Sequence, residues 1–177
     1  MRIVAGSRKG HRIDAPKGVV TRPTSDRARE AVFAILGSVE GARVLDLFAG
    51  SGAMGLEALS RGAASCLFVE CDRRACRVIE ENLARLRFET GAVRCAPVER
   101  ALRDEAARGR RYDLLLVDAP YEDWGVLEER LGAALSGVLD ECAMVVVETA
   151  ATVEPTLPLA LVTTRRYGSA RITVLSR

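Results

Sequence analysis

The stretch RVLDLFAGSGAMG, residues 43–55, carries the clearest structural signal in the 177-residue chain. It begins as a short apolar run with the length of a buried strand. It continues through Gly50, Gly52 and Gly55, which match the pattern G-x-G-x-x-G, into a helix-like segment. Such a turn lets a ligand approach backbone N–H groups at a helix N-terminus. The stretch therefore predicts a strand–loop–helix unit of an α/β domain, with a binding site at the carboxyl end of the strand.

Short apolar runs alternate with helical patterns along the rest of the chain. The alternation predicts a mostly parallel sheet with helices on both faces. Two strand-like runs at the end of the chain flank Gly168-Ser169, which predicts a hairpin and a last strand antiparallel to its neighbour. The predicted core strands are 43–48, 65–70, 92–96, 112–118 and 142–148, and the helices between them are 53–62, 72–87, 98–109 and 126–135.

The N-terminal segment has a different pattern and a different charge. Residues 1–16 alternate around Gly6 and Gly10, which predicts a small β-hairpin, and a capped helix is predicted over 23–36. Residues 1–29 hold eight Lys/Arg and two acids, whereas the remainder holds 18 basic and 22 acidic residues. A polyanionic partner would explain this asymmetry, and so would a solvated tail. We divide the chain into a basic hairpin arm, residues 1–20, and one globular domain, residues 21–177.

The composition fits one soluble domain, with 49% hydrophobic and 28% charged residues. No apolar run reaches the ~18 residues of a membrane-spanning helix or resembles a signal peptide, so we expect a cytoplasmic protein. The five cysteines form no CxxC motif and are expected to be mostly small buried residues in a reducing compartment. His11 is the only histidine, so we expect neither a metal site nor a Ser-His-Asp triad.

Two acids near the glycine loop indicate the class of ligand. Glu70 ends the next predicted strand, where a carboxylate can accept hydrogen bonds from ribose hydroxyls. Asp46 would repel the pyrophosphate of NAD. It would favour the ammonium and sulfonium of S-adenosylmethionine, directly or by holding the loop. The alternative is that Asp46 only caps the loop. The pattern predicts a nucleoside ligand and favours S-adenosylmethionine over NAD.

The fourth predicted strand ends in Asp118-Ala119-Pro120-Tyr121, at the same edge of the sheet as the glycine loop. An exocyclic amine on a base is a poor nucleophile because its lone pair is delocalised into the ring. Asp118 and the Ala119 carbonyl can accept its two N–H groups, so that the lone pair points at the methyl group, and Tyr121 can stack on the base. Such a base has to be unstacked or flipped out. The alternative is an ordinary turn after a strand.

Together these residues carry a family resemblance. DLFAGSGAMGLEALSRGA, FVECD and VDAPY resemble class I methyltransferases. With MRIVAGSRKGHRI and RPTSDRAREAVFAIL added, the chain is similar over nearly its whole length to the RsmD family of 16S ribosomal RNA guanine-N2 methyltransferases. The resemblance implies a Rossmann-like, seven-stranded, mostly parallel sheet and S-adenosylmethionine as methyl donor. It also implies a monomeric enzyme whose partner is 16S ribosomal RNA or the assembling small subunit.

The resemblance further implies roles for individual residues. Asp118, Ala119, Pro120 and Tyr121 match the catalytic tetrapeptide, and Arg22, Pro23 and Thr24 match a segment that closes over the cofactor and the target. The implied cofactor contacts are Thr24, Asp46, Phe48, Ala49, Gly50, Ser51, Gly52, Glu70, Cys71 and Asp72. The implied RNA contacts are Arg2, Arg8, Lys9, Arg12, Arg22, Arg27 and Arg29, with the alternative that Arg29 pairs with acids of the body.

Two positions depart from the family pattern. Ala119 replaces the first proline of the usual Asp-Pro-Pro-Tyr. Ala96 stands where many relatives carry an acid or amide near the adenine, so any contact from this strand would come from its backbone. A DNA adenine or cytosine amino-methyltransferase is an alternative, although no target-recognition insert is evident. An RNA-binding module that keeps the cofactor but catalyses weakly is a second alternative, and an NAD-dependent enzyme is a third.

Overall fold

The computed structural model describes residues 1–16, 26–119 and 124–177. Helices and strands alternate through the central part of the chain, as the sequence predicts. The helices are α1 (Asp26–Leu36), α2 (Ala53–Ser60), α3 (Arg73–Leu86), α4 (Val98–Ala107) and α5 (Trp124–Leu135). The strands are β1 (Arg43–Leu47), β2 (Ser65–Glu70), β3 (Gly91–Cys95), β4 (Tyr112–Asp118), β5 (Leu139–Ala150), β6 (Ala160–Tyr167) and β7 (Ala170–Ser176).

The strands form one seven-stranded sheet in the order β3-β2-β1-β4-β5-β7-β6. The first five strands are parallel, and β7 runs antiparallel to both β5 and β6. This confirms the seven-stranded, mostly parallel sheet and the C-terminal hairpin. The strand order reverses between β1 and β4. In sheets of this kind, ligands bind in the crevice beyond the carboxyl ends of the strands at such a reversal.

Helices cover both faces of the sheet. Helices α1, α2 and α3 pack on what we call the first face, with residues such as Phe33, Leu56 and Ile79. Helices α4 and α5 pack on the second face, with residues such as Leu102 and Leu131. Because side chains alternate along a strand, residues at even positions in β1, β2, β5 and β4 from Leu114 onwards face α1–α3, and those at odd positions face α4 and α5.

The N-terminal segment is a minimal hairpin that is packed against the domain. It contains one isolated antiparallel bridge, between Arg2 and Arg12. Ile3 and Ile13 are 1% exposed and belong to the core of the first face. The described part of the predicted arm, residues 1–16, is therefore built into the domain, because its apolar residues complete the core.

The cysteines differ in part from the expectation. All five are free thiols, but only Cys66 and Cys76 are buried, whereas Cys71, Cys95 and Cys142 are exposed. The prediction that most are small core residues was wrong, because Cys71 and Cys95 lie at the open carboxyl edge of the sheet. Within the described ranges, no helix combines the length and apolarity needed to span a membrane.

Candidate active site

The glycine loop between β1 and α2 turns through left-handed backbone. Gly50 and Gly52 have φ of +55° and +77°, and Phe48 between strand and loop also has a positive φ of +59°. The Gly52 N–H donates to the Ala49 carbonyl at 2.7 Å, which closes the turn. Within the part of the chain that the structure describes, a Cβ at Gly50 would meet only the Phe48 oxygen, at 3.9 Å. The backbone at Gly50 is thus open to the close approach of a ligand, as the motif requires.

Gly55, the last glycine of the motif, is a packing position. A Cβ built on it would lie 2.4 Å from Cε1 of Phe68 and 2.6 Å from Sγ of Cys66, both on β2. Its N–H donates to Oδ2 of Asp46 at 2.9 Å. Asp46 is 2% exposed, so its carboxylate holds the start of α2 against the end of β1. The sequence predicted that Asp46 either attracts the positive charge of the cofactor directly or holds the loop. The hydrogen bond from Gly55 is the contact that holds the loop.

Glu70 joins the two loops that border the crevice. Its Oε2 accepts the Gly50 N–H at 2.9 Å, and its Oε1 accepts the N–H groups of Cys71 and Asp72 at 2.7 and 2.9 Å. A carboxylate offers about four acceptor positions, so a group held in this way can still accept a hydroxyl. Glu70 therefore stands where the sequence places a ribose-binding acid, with its orientation fixed by backbone donors.

The remaining candidate cofactor contacts beyond β2 and β3 differ in how many of their polar groups already form hydrogen bonds within the protein. Asp72 is the N-cap of α3, and its Oδ1 accepts the N–H groups of Arg74 and Ala75 at 2.6 and 3.1 Å. The Ala96 N–H donates to the Glu70 carbonyl at 2.9 Å and is therefore already occupied. Cys71 is an exposed residue whose thiol is partly buried beside Glu70. This partial burial, together with the Glu70 carboxylate, raises the pKa of the thiol.

Four neighbouring strands each bring one acid to the carboxyl edge on the first face. We call Glu70 of β2, Asp46 of β1, Asp118 of β4 and Glu148 of β5 the carboxylate row. Asp118 and Glu148 are direct partners in the parallel register, whereas Asp46 lies two residues deeper than its neighbours. Glu148 was not among the site residues predicted from the sequence. The signal was present, since Glu148 closes an apolar run as Asp118 does.

The row gathers four acidic side chains at the crevice. Burial raises the pKa of Asp46 well above its ordinary value, the hydrogen bond from Gly55 opposes this rise, and the nearby charges of Asp118 and Glu70 add to it. A buried carboxylate with other acids nearby favours a cation and disfavours a pyrophosphate. Among the described residues, no group of three or more His, Cys, Asp or Glu is arranged to hold a metal ion.

The described part of the candidate catalytic tetrapeptide is Asp118 and Ala119. Asp118 is the last residue of β4 and is partly exposed at the crevice. Ala119 is 3% exposed and packs with the core of the second face. Pro120 and Tyr121 lie outside the described residues, and so do Arg22, Pro23 and Thr24.

Comparison with known proteins places the chain in a family. The family model described as Conserved hypothetical protein 95 matches residues 1–176. The chain belongs to this family, the RsmD family. Its sequence is 40% identical over 146 residues to the protein YlbH of Bacillus subtilis, covering 81% of this chain and 76% of that protein. It is 38% identical over 151 residues to Ribosomal RNA small subunit methyltransferase D of Escherichia coli K12, covering 84% and 74% of the two chains.

Solved structures support the same membership. The hypothetical protein TTHA0928 of Thermus thermophilus is 32% identical and superposes with a TM-score of 0.87, covering 100% of this chain and 99% of that one. SMU.776, whose crystal structure contains SAH, shares 16% identity at a TM-score of 0.71, covering 86% of this chain and 49% of that one. The second likeness concerns the fold only.

The basic residues predicted to contact RNA in this RsmD-family member fall into two groups. Arg2, Lys9, Arg12 and Arg27 are exposed. Arg8 is partly buried, because its Nε donates to the Leu86 carbonyl at 2.7 Å. The first group lies at the surface and is accessible to phosphate, whereas Arg8 is already engaged in attaching the N-terminal segment to α3.

Arg29 is a correction to the sequence-based prediction. Its side chain is fully buried, and its Nη2 donates to Oδ1 of Asp26 and to the Arg2 carbonyl, both at 2.7 Å. A guanidinium in this environment cannot reach an RNA phosphate. Arg29 instead ties the N-terminal hairpin to α1, as in the alternative that pairs it with an acid of the body.

Two polar residues that attach this hairpin were missed in the sequence. Glu57 of α2 is fully buried and accepts the N–H groups of Val4 and Ala5 at 2.8 and 2.9 Å. Asn82 of α3 exchanges hydrogen bonds with the backbone of Asp14 and also donates to the Ser51 carbonyl at 3.3 Å. Asn82 therefore connects the N-terminal segment directly to the glycine loop.

Proposed function

We propose that this protein transfers a methyl group from S-adenosylmethionine to the exocyclic N2 of a guanine in 16S ribosomal RNA. The observation that carries the proposal is the carboxylate row beside an open glycine loop, with Asp118 at the start of the tetrapeptide Asp118-Ala119-Pro120-Tyr121. The crevice suits a nucleoside that carries positive charge and no phosphate. The relative in Escherichia coli that is named Ribosomal RNA small subunit methyltransferase D supports RNA as the substrate.

The residues of the crevice fit S-adenosylmethionine. Gly50 leaves room for close approach, Glu70 is oriented to accept ribose hydroxyls, and Asp46 places negative charge below the loop. When bound, this cofactor supplies an electrophilic methyl group on a sulfonium. We propose that the cofactor also contacts Phe48, Ala49, Ser51, Gly52, Cys71 and Asp72. Thr24 belongs to the segment that we propose closes over it.

Asp118 and the Ala119 carbonyl orient the target amine. Each accepts one N–H of the N2 group, so that the nitrogen pyramidalises and its lone pair points at the methyl group. Methyl transfer from the sulfonium would leave a neutral thioether and place positive charge on the nitrogen, and Asp118 would stabilise that charge until the N2 proton is lost to water. Tyr121 stacks on the base. Positioning and charge stabilisation together account for the rate.

The surface around the crevice suits an RNA backbone. Arg2, Lys9, Arg12 and Arg27 are exposed, and Arg22 lies in the same basic N-terminal region of the sequence. Binding should therefore weaken steeply as salt rises, since each phosphate contact releases counterions. One chain supplies all four members of the carboxylate row, so we propose that a monomer is active, on naked 16S RNA or on the assembling small subunit in the cytoplasm.

The test is nucleoside mass spectrometry of ribosomal RNA from cells with and without the gene. We expect 16S RNA to lose one N2-methylguanosine when the gene is deleted and to regain it on complementation. Complementation with Asp118→Ala should fail. An unchanged N2-methylguanosine content would refute the proposal, and loss of a methylated adenine or cytosine from DNA would support the DNA methyltransferase alternative.

A further inference from the structure

Glu148 lies in the crevice and has no role in the proposed reaction as described above. It lies on β5, beside Asp118 of β4 in the parallel register, and the two residues face the same side of the sheet. Parallel strands are about 4.8 Å apart, so the two carboxylates can reach one small planar group together. Glu148 is 9% exposed and directly follows the apolar run 143–147 of this strand. A buried carboxylate is a strong hydrogen-bond acceptor, so it would select a ligand that brings a donor to it.

The proposed substrate offers such a donor. Guanine carries an N–H at N1, directly beside the exocyclic N2 that Asp118 would hold. Adenine and cytosine instead carry a bare ring nitrogen, an acceptor, next to their exocyclic amines. A carboxylate beside the amine-holding acid therefore matches guanine and repels the other two bases. Such a match is strongly selective because a mismatched base would leave a buried acid facing another acceptor.

We infer that Glu148 is the specificity-determining residue that reads the N1–H of the target guanine. This inference rests on the proposed function and names the group that selects the base. Glu148 also interacts within the protein. A carboxylate has about four acceptor positions, so it can keep such an interaction and still accept the N1–H. Asp118 and the Ala119 carbonyl keep the two N–H groups of N2, so the three roles do not compete.

The experiment replaces the target guanosine with 2,6-diaminopurine riboside, which keeps the exocyclic amine at C2 but has a bare N1. The 16S RNA is ligated with guanosine or with the analogue at the methylated position, assembled into small subunits and assayed for kcat/KM with labelled S-adenosylmethionine. We expect the wild-type protein to prefer guanosine by at least about 100-fold. Equal methylation of both substrates would overturn the inference with the wild-type protein alone.

The variant Glu148→Gln tests the residue itself. Its amide can donate to a bare N1, so the preference for guanosine, measured at saturating S-adenosylmethionine, should fall by at least about tenfold. Glu141→Gln is the matched control, because Glu141 is exposed on the same strand at its opposite end. A preference in Glu148→Gln as high as in wild type would overturn the inference. Failure of the wild-type protein to methylate guanosine at all would instead refute the proposed function.

Discussion

Replacing Gly55 by alanine tests how the glycine loop is joined to the sheet. The added Cβ would stand 2.4 Å from the Phe68 ring and 2.6 Å from the Cys66 sulfur. Carbon atoms in favourable contact are about 3.5–4.0 Å apart, so α2 or β2 would have to move by roughly 1 Å. Every residue of α2 is buried, which leaves the helix little freedom to shift. We therefore expect the overpacking cost to lie near 2–3 kcal/mol.

The gain in helix propensity offsets part of this cost. Alanine is about 1 kcal/mol better than glycine inside a helix, so the net loss for Gly55→Ala is about 1–2 kcal/mol. In a chain of this size the loss corresponds to a melting temperature lowered by roughly 2–8 °C. Affinity for S-adenosylmethionine should fall as well, because the Gly55 N–H that Asp46 accepts would move with the helix.

Gly125→Ala is the matched control. Gly125 is also helical, in α5, but a Cβ there would meet no atom of the described residues within 4 Å. The same substitution should raise the melting temperature by roughly 1–2 °C, from a gain of about 0.5 kcal/mol. Thermal unfolding followed by circular dichroism measures both variants. If Gly55→Ala proves as stable as Gly125→Ala, the close packing of α2 on β2 does not explain the third glycine of the motif.

Three further substitutions test other contacts. Glu57→Gln should lower the free energy of unfolding, measured in urea, by about 2–3 kcal/mol, because an amide cannot accept both N–H groups of Val4 and Ala5. An unchanged free energy of unfolding would show that the hairpin docks by its apolar residues alone. Asp46→Asn removes an acid that lies about 8 Å from each of two others, judged from strand spacing, and should stabilise the cofactor-free protein by about 1 kcal/mol while weakening cofactor binding. The pKa of Asp46 is raised in the folded protein, so ionising this carboxyl destabilises the fold above the unfolded pKa of ~3.9, and the loss grows with pH. The stability that Asp46→Asn gains in urea unfolding should therefore grow as pH rises. A gain that grows as pH falls would contradict this. Ala119→Pro should keep or modestly raise kcat, since roughly 0.4–1 kcal/mol of loop preorganisation is at stake, and a severe loss would mean that the loop has another shape.

The sequence predicted the fold well because its signals were local. Short apolar strands, helical stripes and the glycine loop between Leu47 and Ala53 each specify their own segment, and alternation then fixes a parallel sheet. Three members of the carboxylate row were predicted from the sequence, but Glu148 was not, since its pairing with Asp118 depends on the register between β4 and β5. Such register is a property of packed strands and cannot be read from either strand alone.

The environments of the arginine side chains in the N-terminal segment were the least well predicted from the sequence. Charge alone cannot distinguish an arginine that meets phosphate from one that meets the protein. Arg29 is buried and Arg8 is engaged by Leu86, whereas Arg2 and Arg12 are exposed, although all four belong to the same basic region. The difference arises because Ile3 and Ile13 anchor the hairpin in the core, which then decides the direction of the neighbouring arginines.

The central claim is that Asp118 orients a guanine N2 of 16S RNA for methylation. The most direct test is single-turnover methyl transfer from labelled S-adenosylmethionine to small subunits that lack the modification, by wild type and by Asp118→Asn. We predict label in N2-methylguanosine of 16S RNA with wild type and, at saturating cofactor, a rate at least about 100-fold lower with Asp118→Asn. Label in another nucleoside, or equal rates for the two proteins, would contradict the claim.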